Sequence, residues 1–305
     1  MVSELITKHA SIDEFRKSHS SSSSQLILAD SYELLKTLPS DPLFDLIVTS
    51  PPYNIGKEYE KKMSISEYCN WQRKIITESV KRLKPTGSIC WQVGNHVDNG
   101  RIVPLDIALA PIFNDLELQL RNRIIWAFGH GLHSKRRFSG RYEVVMWYTK
   151  SDSYTFNLDD VRIPALYPGK KHYKGPKAGE YSGNPLGKNP DDVWFIPNVK
   201  SNHIEKTSHP CQFPVALIER IVLALTNPGD LVFDPFCGVA SSGVAAILHG
   251  REFWGCDIVP EYIDQGYDRL LQTLAGTVRH RAMNKPIYSP KSSSLSRVPD
   301  EWKRK

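Results

Sequence analysis

Asp230-Leu231-Val232-Phe233-Asp234-Pro235-Phe236-Cys237-Gly238, running into the small residues Ala240 to Ala246, is the stretch on which the fold turns. Asp230 to Phe233 carries the apolar run of a buried strand, Pro235 stops it, and the small residues start a helix. In a doubly wound sheet, ligands sit beyond the carboxyl ends of such strands. Gly238 lets the backbone approach a ligand, and the helix start supplies unpaired N–H groups. Phe253 to Asp257 reads as the next strand, and Asp257 lies 19 residues past Gly238, the spacing at which a carboxylate reaches ribose hydroxyls. This is a pocket of nucleotide type. A dinucleotide dehydrogenase shares its outline, but the chain has no Gly-x-Gly-x-x-Gly.

A second stretch lies earlier in the chain. Phe44 to Val48 reads as a buried strand and runs into Thr49-Ser50-Pro51-Pro52-Tyr53-Asn54. A Pro-Pro pair cannot continue a ladder or enter a helix interior, so the chain there forms a stiff loop. Such a loop presents a hydroxyl, a carbonyl and an aromatic face to something planar. Around the two motifs, strands are expected at Gln25–Leu28, Ser88–Val93, Arg121–Phe128 and Tyr142–Thr149. Helices are expected at Ser31–Thr37, Ser66–Leu83, Pro104–Asn114, Pro214–Thr226 and Tyr262–Leu274, with a turn at Lys84-Pro85-Thr86-Gly87. Alternating strands and helices predict an α/β fold with a doubly wound, mostly parallel sheet. Periodicity is lost from Ser151 to Lys206, where Pro, Gly, Lys and Tyr accumulate. The expected division is a catalytic domain of residues 25–150 and 207–275, an insertion of 151–206, and tails of 1–24 and 276–305, with Ser18 to Ser24 a polar loop.

With 40% hydrophobic and 24% charged residues, the composition is that of a globular protein. No apolar run reaches the length of a membrane span, and Met1 to Arg16 lacks a signal-peptide core, so a cytoplasmic protein is expected. Five dispersed cysteines argue for reduced thiols. The spacing of His130, His133 and His172 fits no standard metal site, and no metal is expected. The net charge of +6 is unevenly spread: Arg121 to Lys150 holds seven Lys/Arg against Glu143 alone, and Thr277 to Lys305 holds eight against Asp300 and Glu301. Such clusters suit a polyanion, although a solvated basic face would read the same way.

The two motifs, in this order and with an irregular segment between them, resemble those of the β class of amino DNA methyltransferases, over about Leu26 to Leu270. The resemblance implies the fold of S-adenosylmethionine-dependent methyltransferases, with S-adenosylmethionine as cofactor and an exocyclic base amine as substrate. It implies cofactor contacts from Asp30, Asp234, Phe236, Gly238, Ser241, Asp257 and Ile258. It makes Ser50, Pro51, Pro52 and Tyr53 catalytic, and 151–206 the target-recognition insertion. His209-Pro210-x-Gln212-x-Pro214 is similar to the segment that closes over the methionine end of the cofactor. Two departures stand out. The family's Gly-Ser-Gly-Thr-Thr is Gly238-Val239-Ala240-Ser241-Ser242 here, which matters little if φ at Ala240 is negative. A common lysine is replaced by Phe213, which weakens an expected contact to the cofactor carboxylate.

On this resemblance the target base is flipped out of duplex DNA. Tyr53 stacks on it, while the Ser50 hydroxyl and Pro51 carbonyl accept hydrogen bonds from the amine. Ser50 in the motif resembles the N4-cytosine subgroup, and Asn54-Ile55-Gly56 is similar to adenine members; cytosine is favoured. Arg136, Arg137, Arg141, Lys170, Lys171 and Lys174 are the expected DNA contacts. Double-stranded DNA is the expected partner, with a homodimer and a cognate restriction endonuclease for the same site as further ones. Trp71, Trp91 and Trp126 are expected in the core. The alternatives are methylation of RNA or a protein amide, a silent DNA-binding relative, and the dehydrogenase.

Overall fold

The computed structural model describes residues 5–18, 23–53, 63–98, 100–129, 131, 133–287, 296–299 and 302. The proposed roles of Asn54-Ile55-Gly56 and His130 lie outside the described residues, as does most of the serine run (19–22).

Strand β1 (Ile6–His9) and helix α1 (Ile12–Lys17) open the chain, followed by β2 (Ser24–Leu28), α2 (Ser31–Thr37) and β3 (Phe44–Thr49). Helix α3 (Ile65–Arg82) leads directly into β4 (Leu83–Val93), then a hairpin of β5 (Asn95–Asp98) and β6 (Arg101–Pro104), and α4 (Leu105–Asp115). Next come β7 (Gln119–Ala127), β8 (Tyr142–Thr149), α5 (Leu158–Val161) and β9 (Val193–Phe195). The last elements are α6 (Val215–Leu225), β10 (Leu231–Asp234), α7 (Ser241–Leu248), β11 (Glu252–Asp257) and α8 (Pro260–Leu274).

Nine strands form one sheet in the order β1-β2-β11-β10-β3-β4-β8-β7-β9, in which β8 alone runs against the rest. Helices cover both faces. Leu34, Leu35, Ile75, Ile76, Leu109 and Phe113 pack on one face against Ile27, Phe44 and Ile47. Val215, Ile218, Val222, Val244 and Leu270 pack on the other against Leu26, Leu46 and Val48. Burial on both faces explains why these strands read as continuous apolar runs. The chain proceeds from β3 to β4 on one side and from β10 to β11 on the other, so the switch point lies between β3 and β10. Their pairing, Val232 to Leu46 and Phe233 to Ile47, brings the two sequence motifs side by side at one edge.

Local chemistry sets the element ends. The Ser64 hydroxyl accepts from Glu67 N at 3.2 Å while Glu67 accepts from Ser64 N at 2.8 Å, a capping box that starts α3. Asp30 caps α2 by accepting from the N–H groups of Tyr32 and Glu33.

The structure departs from the sequence reading in three places. The tail expected over 1–24 supplies β1, which pairs with β2 at the sheet edge, and α1, against which His9 and Trp254 pack their rings on Phe15. The turn expected at Lys84–Gly87 is a bulge within β4: Phe44 pairs with Leu83 and Leu46 with Ser88. A bulge lets Pro85 sit in a strand without breaking its ladder. The segment 151–206 is irregular mainly in its middle. Its β9 extends the sheet, with Trp194 opposite Trp126, and the Trp126 indole donates to the Ile196 carbonyl at 2.8 Å. No helix among the described residues is long and apolar enough to cross a membrane.

Candidate active site

The two motif loops are fastened to each other behind the edge of the sheet. Asp234 Oδ1 accepts from the Thr49 hydroxyl at 2.6 Å and from Phe236 N at 3.0 Å, and Oδ2 accepts from the Ser242 hydroxyl at 2.6 Å. Asp234 is fully buried, and burial pushes its pKa up to about 6. The sequence reading placed this carboxylate on the cofactor, but it lies behind the cavity wall and ties β10, β3 and α7 together. The Ser31 hydroxyl adds a bond of 2.6 Å to the Pro235 carbonyl.

In front of these ties opens a cavity of about 260 Å³. Asp30, Phe236, Gly238, Ser241, Asp257 and Ile258 line it, together with Ser50, Pro51, Pro52 and Tyr53. The expected contacts from four strand ends therefore converge, Asp234 excepted. Asp257 accepts from Gly238 N at 3.1 Å and from Val259 N at 2.9 Å, and burial raises its pKa. Gly238 has φ +48°, which favours glycine, and a Cβ there would lie 3.0 Å from His209 Nε2, so the imidazole would have to give way. Ala240 also lies in the left-handed region, at φ +55°. The condition set for this departure, a negative φ, is not met, and a strain of about 1 kcal/mol is built into the turn. Phe213 is buried at the cavity wall. Trp91 and Trp126 are core residues, but Trp71 lines the cavity with its ring centroid 5.5 Å from that of Phe236.

His209 forms part of the opposite wall, edge-on to Tyr262 at 4.5 Å. Its Nδ1 accepts from Cys211 N at 3.2 Å. Burial, with Lys206 and Arg269 nearby, lowers its pKa to about 4. The unfolded chain protonates this imidazole near pH 6.5, so its neutral burial is fully stabilising above that pH and is lost as pH falls towards 4. Between pH 7 and pH 5 the stability of wild type relative to His209→Asn is expected to drop by about 2 kcal/mol. Urea melts of both proteins at the two pH values measure it; a constant difference would contradict the assignment.

At the other end of the cavity, the Ser50 hydroxyl is 2.9 Å from the Tyr53 hydroxyl. The latter reaches Gln92 Oε1 at 2.7 Å and Glu143 Oε2 at 3.1 Å, and Gln92 Nε2 donates to Glu143 Oε2 at 2.5 Å. Removal from water raises the pKa of both Tyr53 and Glu143. The Pro52 carbonyl is taken by the Tyr68 hydroxyl at 2.9 Å. Gln92 and Glu143 were not expected here. Glu143 had shown itself only as the single acid in a basic stretch; a lone charge at the start of an apolar strand was the available signal.

The expected DNA contacts do not line the cavity. Arg136 and Arg137 are exposed on the segment between β7 and β8, with Arg141 partly buried at its end. β7 runs in the same direction as β4, so this segment leaves the sheet at the edge that carries the cavity. Lys170, Lys171 and Lys174 are exposed in the middle of the insertion, where Lys171 lies over the Tyr181 ring. Among the described residues, no group of His, Cys, Asp or Glu could hold a metal ion.

A doubly wound sheet with a carboxylate-lined pocket at its switch point, and a Ser-Pro-Pro-Tyr loop opening on the same pocket, defines an S-adenosylmethionine-dependent methyltransferase. The donor chemistry fits the cofactor: carboxylates of Asp30 and Asp257 for hydroxyls, Phe236 and Ile258 for a planar base, and the glycine cradle at 238 beneath His209. The DNA methylase family model matches residues 44–268, and the chain belongs to that family. It is 49% identical to the type II methyltransferase M.BglII of Bacillus subtilis over 79% of this chain and 67% of that protein. It is 32% identical to the DNA adenine methyltransferase YhdJ of Escherichia coli (strain K12), over 80% of this chain and 82% of that one. Among solved structures, PvuII DNA methyltransferase (cytosine-N4-specific) superposes with a TM-score of 0.65 at 21% identity, covering 91% of this chain and 98% of that chain.

Proposed function

We propose that this DNA methyltransferase acts on N4 of cytosine at a specific site in duplex DNA, as the modification half of a restriction-modification pair. The observation that carries the base assignment is Ser50. Ser50 and Pro51 line the same cavity as Asp30 and Asp257. Where an aspartate would place a fixed negative charge, Ser50 places a neutral acceptor beside the Tyr53 ring. Bound S-adenosylmethionine supplies a methyl group on a sulfonium, which needs no base before transfer.

The roles of the chain's own residues follow. Asp257 and Asp30 hold the cofactor's hydroxyl and polar groups, Phe236 and Ile258 bound its base, and Gly238 and Ser241 supply the close backbone approach at the start of α7. Tyr53 stacks on the extruded base. Ser50 and the Pro51 carbonyl accept from its amine and aim the nitrogen lone pair, so catalysis is mainly orientation, with stabilisation of the positive charge that develops on nitrogen. The proton leaves afterwards to water. Arg136, Arg137, Arg141, Lys170, Lys171 and Lys174 contact phosphates or guanine edges, with 151–206 as the target-recognition segment. A homodimer and a cognate endonuclease complete the proposed setting.

A second reading, N6 of adenine, is favoured by the similarity to the adenine enzyme above and by Asn54 after the tyrosine. Incubation with S-adenosylmethionine and unmethylated genomic DNA, followed by mass spectrometry of the nucleosides, decides. N4-methylcytosine is expected. N6-methyladenine would move the assignment to the second reading, and neither product, with cofactor bound, would point to another substrate such as RNA.

A further inference from the structure

Gln92, near the end of β4, and Glu143, at the start of β8, have no part in the roles above, yet hydrogen-bond sense gives them one. For Ser50 to accept from the target amine, its own proton has to point elsewhere. The Tyr53 oxygen, 2.9 Å away, is its partner in the structure. That oxygen can take the proton only if the Tyr53 proton is committed to a different acceptor, and Gln92 Oε1 stands at 2.7 Å with Glu143 Oε2 behind it at 3.1 Å. A glutamine holds its oxygen towards one side when its amide nitrogen is engaged on the other, and Gln92 Nε2 donates to Glu143 at 2.5 Å. Glu143 Oε2 accepts from the Gln92 amide and, at 3.1 Å, from the Tyr53 hydroxyl, and an oxygen that accepts from both fixes the sense of the bonds in the chain from its end.

We infer that Glu143 is a positioning residue that acts through Gln92 and Tyr53 to keep the lone pairs of Ser50, rather than its proton, turned towards the substrate amine. This rests on the proposed reading of Ser50 as acceptor. The surroundings suit the role. Gln92 is 1% exposed, so water does not compete for its amide. A Cβ at Gly94 would lie 3.1 Å from the Tyr53 ring and 3.5 Å from Glu143 Cγ, so the bare glycine lets the two side chains close on each other. With the carboxylate gone, the Gln92 amide can flip, the Tyr53 proton can turn to Ser50, and the Ser50 proton then faces the incoming amine as a competing donor.

The test is a double-mutant cycle on kcat with unmethylated genomic DNA as substrate. Glu143→Gln is expected to lower kcat by about tenfold to a hundredfold, the scale of losing a partner that orients an acting group. Cofactor affinity by calorimetry and the melting temperature should stay at the wild-type values. Tyr53→Phe breaks the chain between Ser50 and Glu143, so adding Glu143→Gln in that background should cost less than about twofold. A purely structural role would lower kcat by the same factor in both backgrounds. Equal losses, or wild-type kcat in Glu143→Gln, would overturn the inference. If Glu143→Gln does not fold, Glu143→Met in the same two backgrounds carries the same expectation and the same refutation. A wild-type protein that methylates no base would sink the reading of Ser50 itself, whereas an active wild type with an additive cycle would sink only the role of Glu143.

Discussion

Ser50→Ala is expected to lower the rate of methyl transfer by about a hundredfold while leaving cofactor affinity and folding stability intact. The side chain is partly exposed on a loop, and its partner in the structure, the Tyr53 hydroxyl, keeps Gln92 when Ser50 is lost. The fold therefore gives up little. On the proposed role of Ser50, the amine loses one of two acceptors, and removing a single aligned partner of a developing charge costs about 10² to 10³ in rate. Tyr53→Ala should behave differently. On the proposed role of Tyr53 it removes the stacking face, worth about 1–3 kcal/mol per base, so weaker binding of DNA should accompany the slower transfer. Single-turnover transfer with saturating cofactor, set beside calorimetry for cofactor and a DNA titration, separates the two effects. Wild-type turnover in Ser50→Ala would remove the loop from the chemistry.

Asp234→Ala is expected to destabilise the protein by about 3 kcal/mol and to abolish activity, although this side chain is fully buried and does not line the cavity. Truncation strands two hydroxyls and one N–H in the interior, at about 1–3 kcal/mol each, offset in part by removal of a buried charge. The isosteric Asp234→Asn keeps an oxygen for Thr49 and Phe236 N and can donate to Ser242, so it should fold. It also exposes the titration. The folded carboxyl holds its proton up to about pH 6, whereas the unfolded one releases it near 3.8. Ionisation of Asp234 thus opposes folding increasingly as pH rises through that window. Relative to wild type, Asp234→Asn should gain about 2 kcal/mol between pH 4 and pH 8. Denaturant melts at both limits measure the gain, and a pH-independent difference would show that the carboxylate is not held as the structure has it.

Most of the central sheet was legible because strands buried on both faces carry unbroken apolar runs and the helices between them keep their period. β1 escaped because a four-residue strand ahead of a polar run has too little pattern to register. β9 escaped because three residues, Val193 to Phe195, are recruited by pairing with β7, which is a tertiary effect. At the site, most of the residues that line the cavity were legible from the two motifs, but which of them face the cavity and which brace it was not. Asp234 reads in sequence as a ligand contact and is a strut in the fold, because only the pairing of β10 with β3 brings Thr49 to within 2.6 Å of it. Gln92 and Glu143 come from strands that carry no motif, and nothing local marks a residue that meets the loop only through sheet order. Ala240 reads as a harmless exchange for glycine, because sequence does not reveal the sign of φ.

The insertion is sewn to the sheet at both its ends, by the Trp126 indole on Ile196 and by the packing of Trp147 on Tyr154 and Phe156. Between those seams, residues 164–187 form an exposed loop whose neck is the two-way pairing of Ile163 with Lys188. Such a neck permits exchange. A loop of different length or sequence, grafted between Ile163 and Lys188, leaves every residue of the sheet and the cavity untouched. On the proposed role of 151–206 as the target-recognition segment, replacing this one short cassette would change the DNA site that is read and leave the transfer chemistry as it is.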